Sequence, residues 1–295
     1  MAAKKKINPL YRKKIEQIAL DNEDYASEEM KPVYQEQKKA LDSLHVIVGA
    51  LFIAYAVNGL LKMTEAQKAS TGIKNTLKTM GKDLGDSEVS KVTDILSKTY
   101  ADTYYKNAFI MDEGLKVDLK FDLLKQEYID AAVNAKFKEE LFSDRIWTNK
   151  AAMIDKLHAG FVDAMNGNTT IDKLASDIKN TFNVTAYESS RLVRTENARI
   201  QIQAQYDIGI NTGVEQVMWS ATLDGLTCAE DAELDGKVFP IDGAPECPAH
   251  PFCRCDLVNI PYNGWVPTQR RDNESKDLID YVDYATWAKD KGIEE

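Results

Sequence analysis

Residues 185–213 read TAYESSRLVRTENARIQIQAQYDIGINTG, and this stretch decides the fold class. Val193, Asn197, Ile200, Ala204 and Ile208 recur at three- and four-residue spacing, the period of one helix face. Thr185 with Glu188 makes a T-x-x-E capping box for the start, and Asn211-Thr212-Gly213 supplies the stop. Asn197 falls on the packing face, with Arg194 and Glu196 on its flanks, and a polar group placed there needs partners. Arg194 and Glu196 are expected to bridge this helix to the segment that follows; a substrate clamp is the competing reading. Glu188 with Arg191 and Glu196 with Arg199 are expected as surface pairs one turn apart.

Downstream the texture becomes turn-rich, and strands are expected over Val214–Leu223, Lys237–Ile241 and Cys255–Ile260. Upstream, spacing from Ile7 to about Ile110 is mostly helical, with Val89, Val92, Leu96, Thr99 and Thr103 following a start signal at Asp86-Ser87. Leu115, Val117, Leu119, Phe121 and Leu123 alternate with mostly charged residues, which predicts a short strand near 115–121. Helical spacing returns over 123–135. Ile154, Leu157, Phe161 and Met165 mark a helix ending at Asn166-Gly167, and Thr170 can cap another bearing Ile171, Leu174, Ile178 and Phe182. The fold class is therefore α+β and predominantly helical: an N-terminal helical arm over 1–135, a compact helical module with a small antiparallel β-sheet over 136–262, and an acidic tail over 263–295, read as a surface helix or flexible end.

At 295 residues the chain can bury a core, and 44% apolar with 28% charged residues excludes collagen-like and wholly disordered classes. A formal charge of −10 disfavours nonspecific nucleic-acid binding, although the acidity is local: Val217–Ile260 holds 8 acidic against 2 basic residues. At the other end, Lys4, Lys5, Lys6, Arg12, Lys13 and Lys14 could meet DNA or an acidic protein surface, or form a solvated helix end. Leu44–Leu61 is an 18-residue stretch free of Asp, Glu, Lys and Arg, at the lower limit of a membrane span; His45, Gly49, Asn58 and Gly59 dilute it, and a buried helix is expected. Charged, helix-like sequence over 7–40 stands where a secretory apolar region would be, so a reducing cytoplasm is expected.

All four cysteines, Cys228, Cys247, Cys253 and Cys255, fall within 28 residues. With Asp231 and His250 they offer a zinc ligand set, because Cys228-x-x-Asp231 and His250-x-x-Cys253 have the spacing at which a turn aims both members at one ion. Packed apolar thiols and a redox disulfide are the alternatives. A zinc-dependent hydrolase or deaminase, with Glu230 or Glu246 as base, has weak support: His250 is followed by Pro251 and Phe252, with no carboxylate two positions on. Gly-rich phosphate loops and the HExxH, GxSxG and EF-hand motifs are absent.

RIWTNK (145–150), FNVT (182–185), VRTENAR (193–199), ATLDGLTC (221–228), LDGKVFPI (234–241) and HPFCRC (250–255) together resemble the phage head morphogenesis family, the Mu F-like minor head proteins, over roughly 136–261. Arg194, Glu196, Asp224, Thr227, Cys228, Asp235, Gly236, Lys237, Phe239, His250, Pro251, Cys253 and Arg254 fill the family's pattern; Asp231 stands where a second Cys is common. The resemblance implies a minor capsid component of the virion head, assembled in the bacterial host cytoplasm. It further implies association with the portal and other capsid or scaffold proteins, a role in assembly, DNA packaging or DNA delivery, and no catalysis. Some members are fused to toxin domains. If the protein leaves with the DNA, 44–61 gains a role in transient membrane contact, which makes a membrane-active effector the third reading.

Overall fold

The computed structural model describes residues 10–115, 124–265 and 267–293. The strand expected near 115–121 and the basic residues Lys4, Lys5 and Lys6 lie outside the described residues, as do the side chains of Arg12, Lys13 and Lys14. In chain order the elements are α1 (Leu10–Glu29), α2 (Lys31–Tyr55), β1 (Ala56–Val57), β2 (Leu60–Leu61), α3 (Glu65–Ser70), α4 (Ile73–Leu115), α5 (Gln126–Val133), α6 (Phe142–Met165) and α7 (Ile171–Asn211). They continue with β3 (Gln216–Ser220), α8 (Ala229–Leu234), β4 (Val238–Pro240), a 3₁₀ turn (Ile241–Gly243), β5 (Asp256–Ile260), β6 (Gln269–Arg271), β7 (Leu278–Asp280) and α9 (Tyr284–Lys291). The chain is thus predominantly helical with small antiparallel sheets, as its periodicity predicts.

Two compact units form: one from 27–94 with 136–193, the other from 1–26, 95–135 and 194–295. The breaks between them fall after residues 26, 94, 135 and 193.

In the first unit, Leu44, Val48, Leu51 and Phe52 of α2 pack with Leu77 and Leu84, with Leu157 and Phe161, and with Leu174 and Ile178. Residues 44–61 do not form one buried helix. Helix α2 ends at Tyr55, and Asn58-Gly59, at φ 54° and 79°, turns the chain into the two-residue hairpin β1–β2. Asn-Gly is a strong signal for that turn, because both positions need positive φ. Val46 and Ile53, 72% and 90% exposed, point away from the core. Asp86-Ser87 starts no helix either: α4 begins at Ile73, where Thr71 Oγ accepts the Ile73 amide at 3.3 Å, and Asp86 pairs with Lys82 within the helix. Likewise Thr185 caps nothing. Its hydroxyl donates to the Thr181 carbonyl at 3.0 Å inside the continuous α7. In both places the local capping chemistry is outcompeted by tertiary burial of the preceding turns. The Thr170 cap is present, accepting the Lys173 amide at 3.4 Å, and Glu188 pairs with Arg191 at a partly exposed position.

The RIWTNK segment lies in α6 and explains its own composition. Lys150 and Glu88 form a fully buried ion pair, and Arg145 bonds the Phe137 carbonyl. Trp147 lies against Gly85 so closely that a Cβ there would fall on the indole ring. Gly85→Ala should therefore lose stability despite the better helix former. Overpacking of about 1–3 kcal/mol exceeds a propensity gain of about 1 kcal/mol. In a Trp147→Ala background the same substitution should be stabilising, and denaturant titration that shows no change of sign would disprove the contact.

Candidate functional site

In the second unit β3 is the middle strand of a sheet ordered β4-β3-β5, antiparallel throughout, with Gln216 opposite Ile260 and Ser220 opposite Asp256. The three strands lie where the sequence predicts them. Helix α7 stops as expected, with the Gly213 amide bonding the Ile210 carbonyl at 3.1 Å. Val193, Asn197, Ile200, Ala204 and Ile208 are all buried. Asn197 finds its partners: its Oδ1 accepts from Thr99 Oγ at 2.8 Å and its Nδ2 donates to the Asn22 carbonyl at 3.3 Å.

The flanking residues behave differently from expectation. Arg194 is exposed. Glu196 and Arg199 are no surface pair: both are buried, with Arg199 Nε donating to Glu196 Oε2 at 2.6 Å while its guanidinium also bonds the Ala132 and Val133 carbonyls. Thr195 links this helix to the cysteine segment, its Oγ accepting the Phe252 amide at 3.2 Å.

That bond holds an unusual turn. Over HPFC the Cys253 amide bonds the His250 carbonyl at 3.0 Å, with Pro251 second and Phe252, at φ 63°, third. This is the type II pattern, in which the third position normally calls for Gly. The turn sets His250 and Cys253 side by side. A second local device acts at Cys228, the N-cap of α8, whose Sγ accepts the Asp231 amide at 3.4 Å and so faces the third residue of the helix.

The two segments meet. His250 Nε2 lies 3.4 Å from Cys228 Sγ and 3.1 Å from Asp231 Oδ2, and Cys253 Sγ is 3.4 Å from the same carboxylate oxygen. His250 Nδ1 is 2.9 Å from the Pro251 carbonyl, to which it donates its proton. Cys228, Asp231 and His250 form one triad of ligating atoms within 4.8 Å of one another, and Asp231, Cys253 and Cys255 form another. Asp231 is 2% exposed, and its Oδ1 has no hydrogen-bond partner. All four cysteines are free thiols. Cys247, Cys253 and Cys255 pack with Trp219, Ala221 and Ile202, and Cys247 Sγ donates to the Cys255 carbonyl at 3.4 Å.

The neighbouring Cys247 and Cys255 side chains draw Cys253 below an ordinary thiol. The same proximity, together with burial, pushes Cys247 and Cys255 up. Burial raises both the Cys228 thiol and the Asp231 carboxyl. The bond to Pro251 raises His250, against the opposing pull of burial. Glu230 and Glu246, the bases a hydrolytic site would use, are both exposed.

Beneath the cluster two ion pairs fix the loops. Arg254 forks onto Asp224, with Nη2 to Oδ1 at 2.9 Å. Asp235 accepts a fork from Arg270, at 2.6 and 3.1 Å, and also the amides of Ala221 and Tyr284; both side chains are 1% exposed. Gly236, at φ 77°, bonds the Trp219 carbonyl through its amide at 2.9 Å.

Arg270 escaped the sequence analysis because residues 263–295 read as a tail. They form the hairpin β6–β7 and α9, whose Tyr284, Trp287 and Ala288 pack on Leu223. The three-residue strands are too short to show alternation, and only the folded chain brings Arg270 to Asp235.

Residues 155–258, about a third of the chain, match the family described as phage Mu protein F like protein. Two relatives overlap the chain. An NAD(+)--arginine ADP-ribosyltransferase of Enterococcus faecalis is 23% identical over 206 residues, covering 64% of this chain and 42% of the relative. An uncharacterized protein of Haemophilus influenzae is 29% identical over 119 residues, covering 38% and 26%. The chain spans less than half the length of the curated relatives it matches. No solved structure matches it.

Replacing Arg270 by Ala would leave Asp235 charged and buried, a loss of about 3–5 kcal/mol. Arg270→Lys should recover only a minor part, since one ammonium cannot reproduce a two-pronged fork. Chemical denaturation checks both, and an Ala variant within error of the parent would refute the pairing.

Proposed function

We propose that this protein is a minor head component of a tailed bacteriophage, docked on the portal and neighbouring capsid or scaffold proteins, and that it supports head assembly, DNA packaging or DNA delivery. The match of residues 155–258 to the Mu protein F family carries this reading. The geometry supports a structural role over turnover. The polar side chains at the heart of the region, Asn197, Asp224 and Asp235, are engaged in tying segments together. Cys228 and His250 make no nucleophile and base of the usual kind. A relay needs the carboxylate on the imidazole nitrogen opposite the thiol, whereas Asp231 and Cys228 crowd the same Nε2. The transferase activity in the name of the Enterococcus faecalis relative belongs, on this reading, to sequence outside the overlap.

Mass spectrometry of purified virions, and of ghosts emptied of DNA, tests the proposal. The protein should copurify with heads in low copy; its absence from particles made by a host that expresses it would remove the reading. Loss from ghosts would mark it as ejected with the DNA.

Membrane contact by 44–61 enters the proposal as an interfacial patch, since no helix among the described residues is long and apolar enough to cross a membrane. Val46, Ile53 and Val57 are exposed and apolar. The protein should float with liposomes, and Ile53→Lys should abolish flotation. A wild-type protein that stays at the bottom of the gradient excludes the contact.

A further inference from the structure

Four side chains converge on one carboxylate oxygen with few protons to share: the Cys253 thiol donates to Asp231 Oδ2 at 3.4 Å, and His250 Nε2 faces the same oxygen. With its Nδ1 proton committed to the Pro251 carbonyl, His250 presents the Nε2 lone pair to a carboxylate oxygen 3.1 Å away and to a thiol sulfur at 3.4 Å. Two acceptors at such a distance repel unless a proton or a cation lies between them. Asp231 Oδ2 thus has the Cys253 thiol as a donor, while the other oxygen, Oδ1, is buried with no donor. An unpaired buried carboxylate is costly, and a bound cation would compensate its charge where no hydrogen-bond donor does.

The distances also suit a particular class of ion. Zinc bonds of about 2.3 Å to sulfur and about 2.0–2.2 Å to nitrogen or oxygen, arranged tetrahedrally, place neighbouring ligand atoms roughly 3.4–3.6 Å apart. Three of the separations, 3.4, 3.1 and 3.4 Å, fall close to that edge length, while the four atoms do not all lie within 4.8 Å of one another: Asp231 is shared by two triads, and binding one ion draws Cys253 towards Cys228 and His250. Softness agrees: two sulfurs with one imidazole and one carboxylate favour zinc over magnesium or calcium. The backbone bond at Nδ1 is the outer contact that orients a histidine whose Nε2 binds a metal.

We propose that Cys228 Sγ, Asp231 Oδ2, His250 Nε2 and Cys253 Sγ bind one zinc ion that staples the start of α8 to the HPFC turn. Cys247 and Cys255 lie outside this set. Both pack in the apolar cluster around Trp219, where the Cys247 thiol donates to the Cys255 carbonyl. Four protein ligands leave no position open for substrate, so the site is structural. It ties together two loops that are otherwise joined by the Arg254–Asp224 pair and by packing around Trp219.

Full-length protein purified without chelators should carry one zinc per chain by elemental analysis. Cobalt added to metal-depleted protein should give the intense visible bands of a four-coordinate ion with thiolate charge transfer. That charge transfer should weaken in Cys228→Ser and in Cys253→Ser and persist in Cys247→Ser and Cys255→Ala. Asp231→Cys should strengthen it by adding a third sulfur. Because a ligand variant could simply misfold, the wild-type chain supplies an independent reading: removing the metal should speed amide exchange across 228–255. A folded chain that holds neither zinc nor cobalt overturns the proposal. So does cobalt charge transfer undiminished in both the Cys228 and Cys253 variants, or exchange over 228–255 that is indifferent to metal.

Discussion

The carboxylate of Asp235 is the point on which the C-terminal half of the protein turns. It accepts two bonds from Arg270 and one each from the amides of Ala221 and Tyr284. The end of the central strand, the loop after α8, the β6–β7 hairpin and the start of α9 are thereby held at one buried charge pair. Arg270 in turn bonds the Ala221 and Val282 carbonyls, so both ions have their remaining positions filled. Such a pair contributes little net stability against an apolar substitute, because desolvation offsets most of the attraction. What it supplies is uniqueness. An arrangement of these loops that left either group half-satisfied would be heavily penalised.

The loops so fixed carry the Cys228, Asp231, His250 and Cys253 group. Asp224 with Arg254 performs the same service nearer the cluster, while Thr195 of α7 holds the strained Phe252 through its amide. The long helix acts as a rod along which partners are spaced: Thr195 and Asn197 reach different segments though only two residues apart, because adjacent positions lie about 100° apart around the axis. In the other unit, close packing does comparable work without loops. Gly85 admits the ring of Trp147, and the Lys150–Glu88 pair is sealed where α4 and α6 meet. These contacts account for RIWTNK as a packing motif. Nothing in that segment requires a ligand.

Much of the candidate site was legible because its chemistry is local. Cys228-x-x-Asp231 and His250-x-x-Cys253 are each brought together by a single turn, and a turn of that length is visible as spacing. The strands over 216–220, 238–240 and 256–260 were legible for the same reason, as was the stop of α7 at Gly213. Capping signals misled where they conflicted with burial. Thr185 with Glu188, and Asp86 with Ser87, look like helix starts, yet each sits inside a helix of about forty residues whose apolar stripe continues through it. A cap is worth about 1 kcal/mol, less than the burial of one large apolar side chain, so the longer helix prevails.

Sequence by itself determined the helical content, the small sheet, the candidate ligand residues and the likeness to the head morphogenesis family, since all of these depend on neighbours within a few residues or on motif order. Only the tertiary structure decided that Arg270 belongs to Asp235, that Glu196 and Arg199 are buried, that residues 44–61 break into a helix and a hairpin, and that the two halves of the Cys and His group converge on Asp231. Those pairings join residues from 3 to about 35 positions apart. Their partners are selected by which charges and dipoles remain unsatisfied once the chain is compact, a condition that exists only in the folded state.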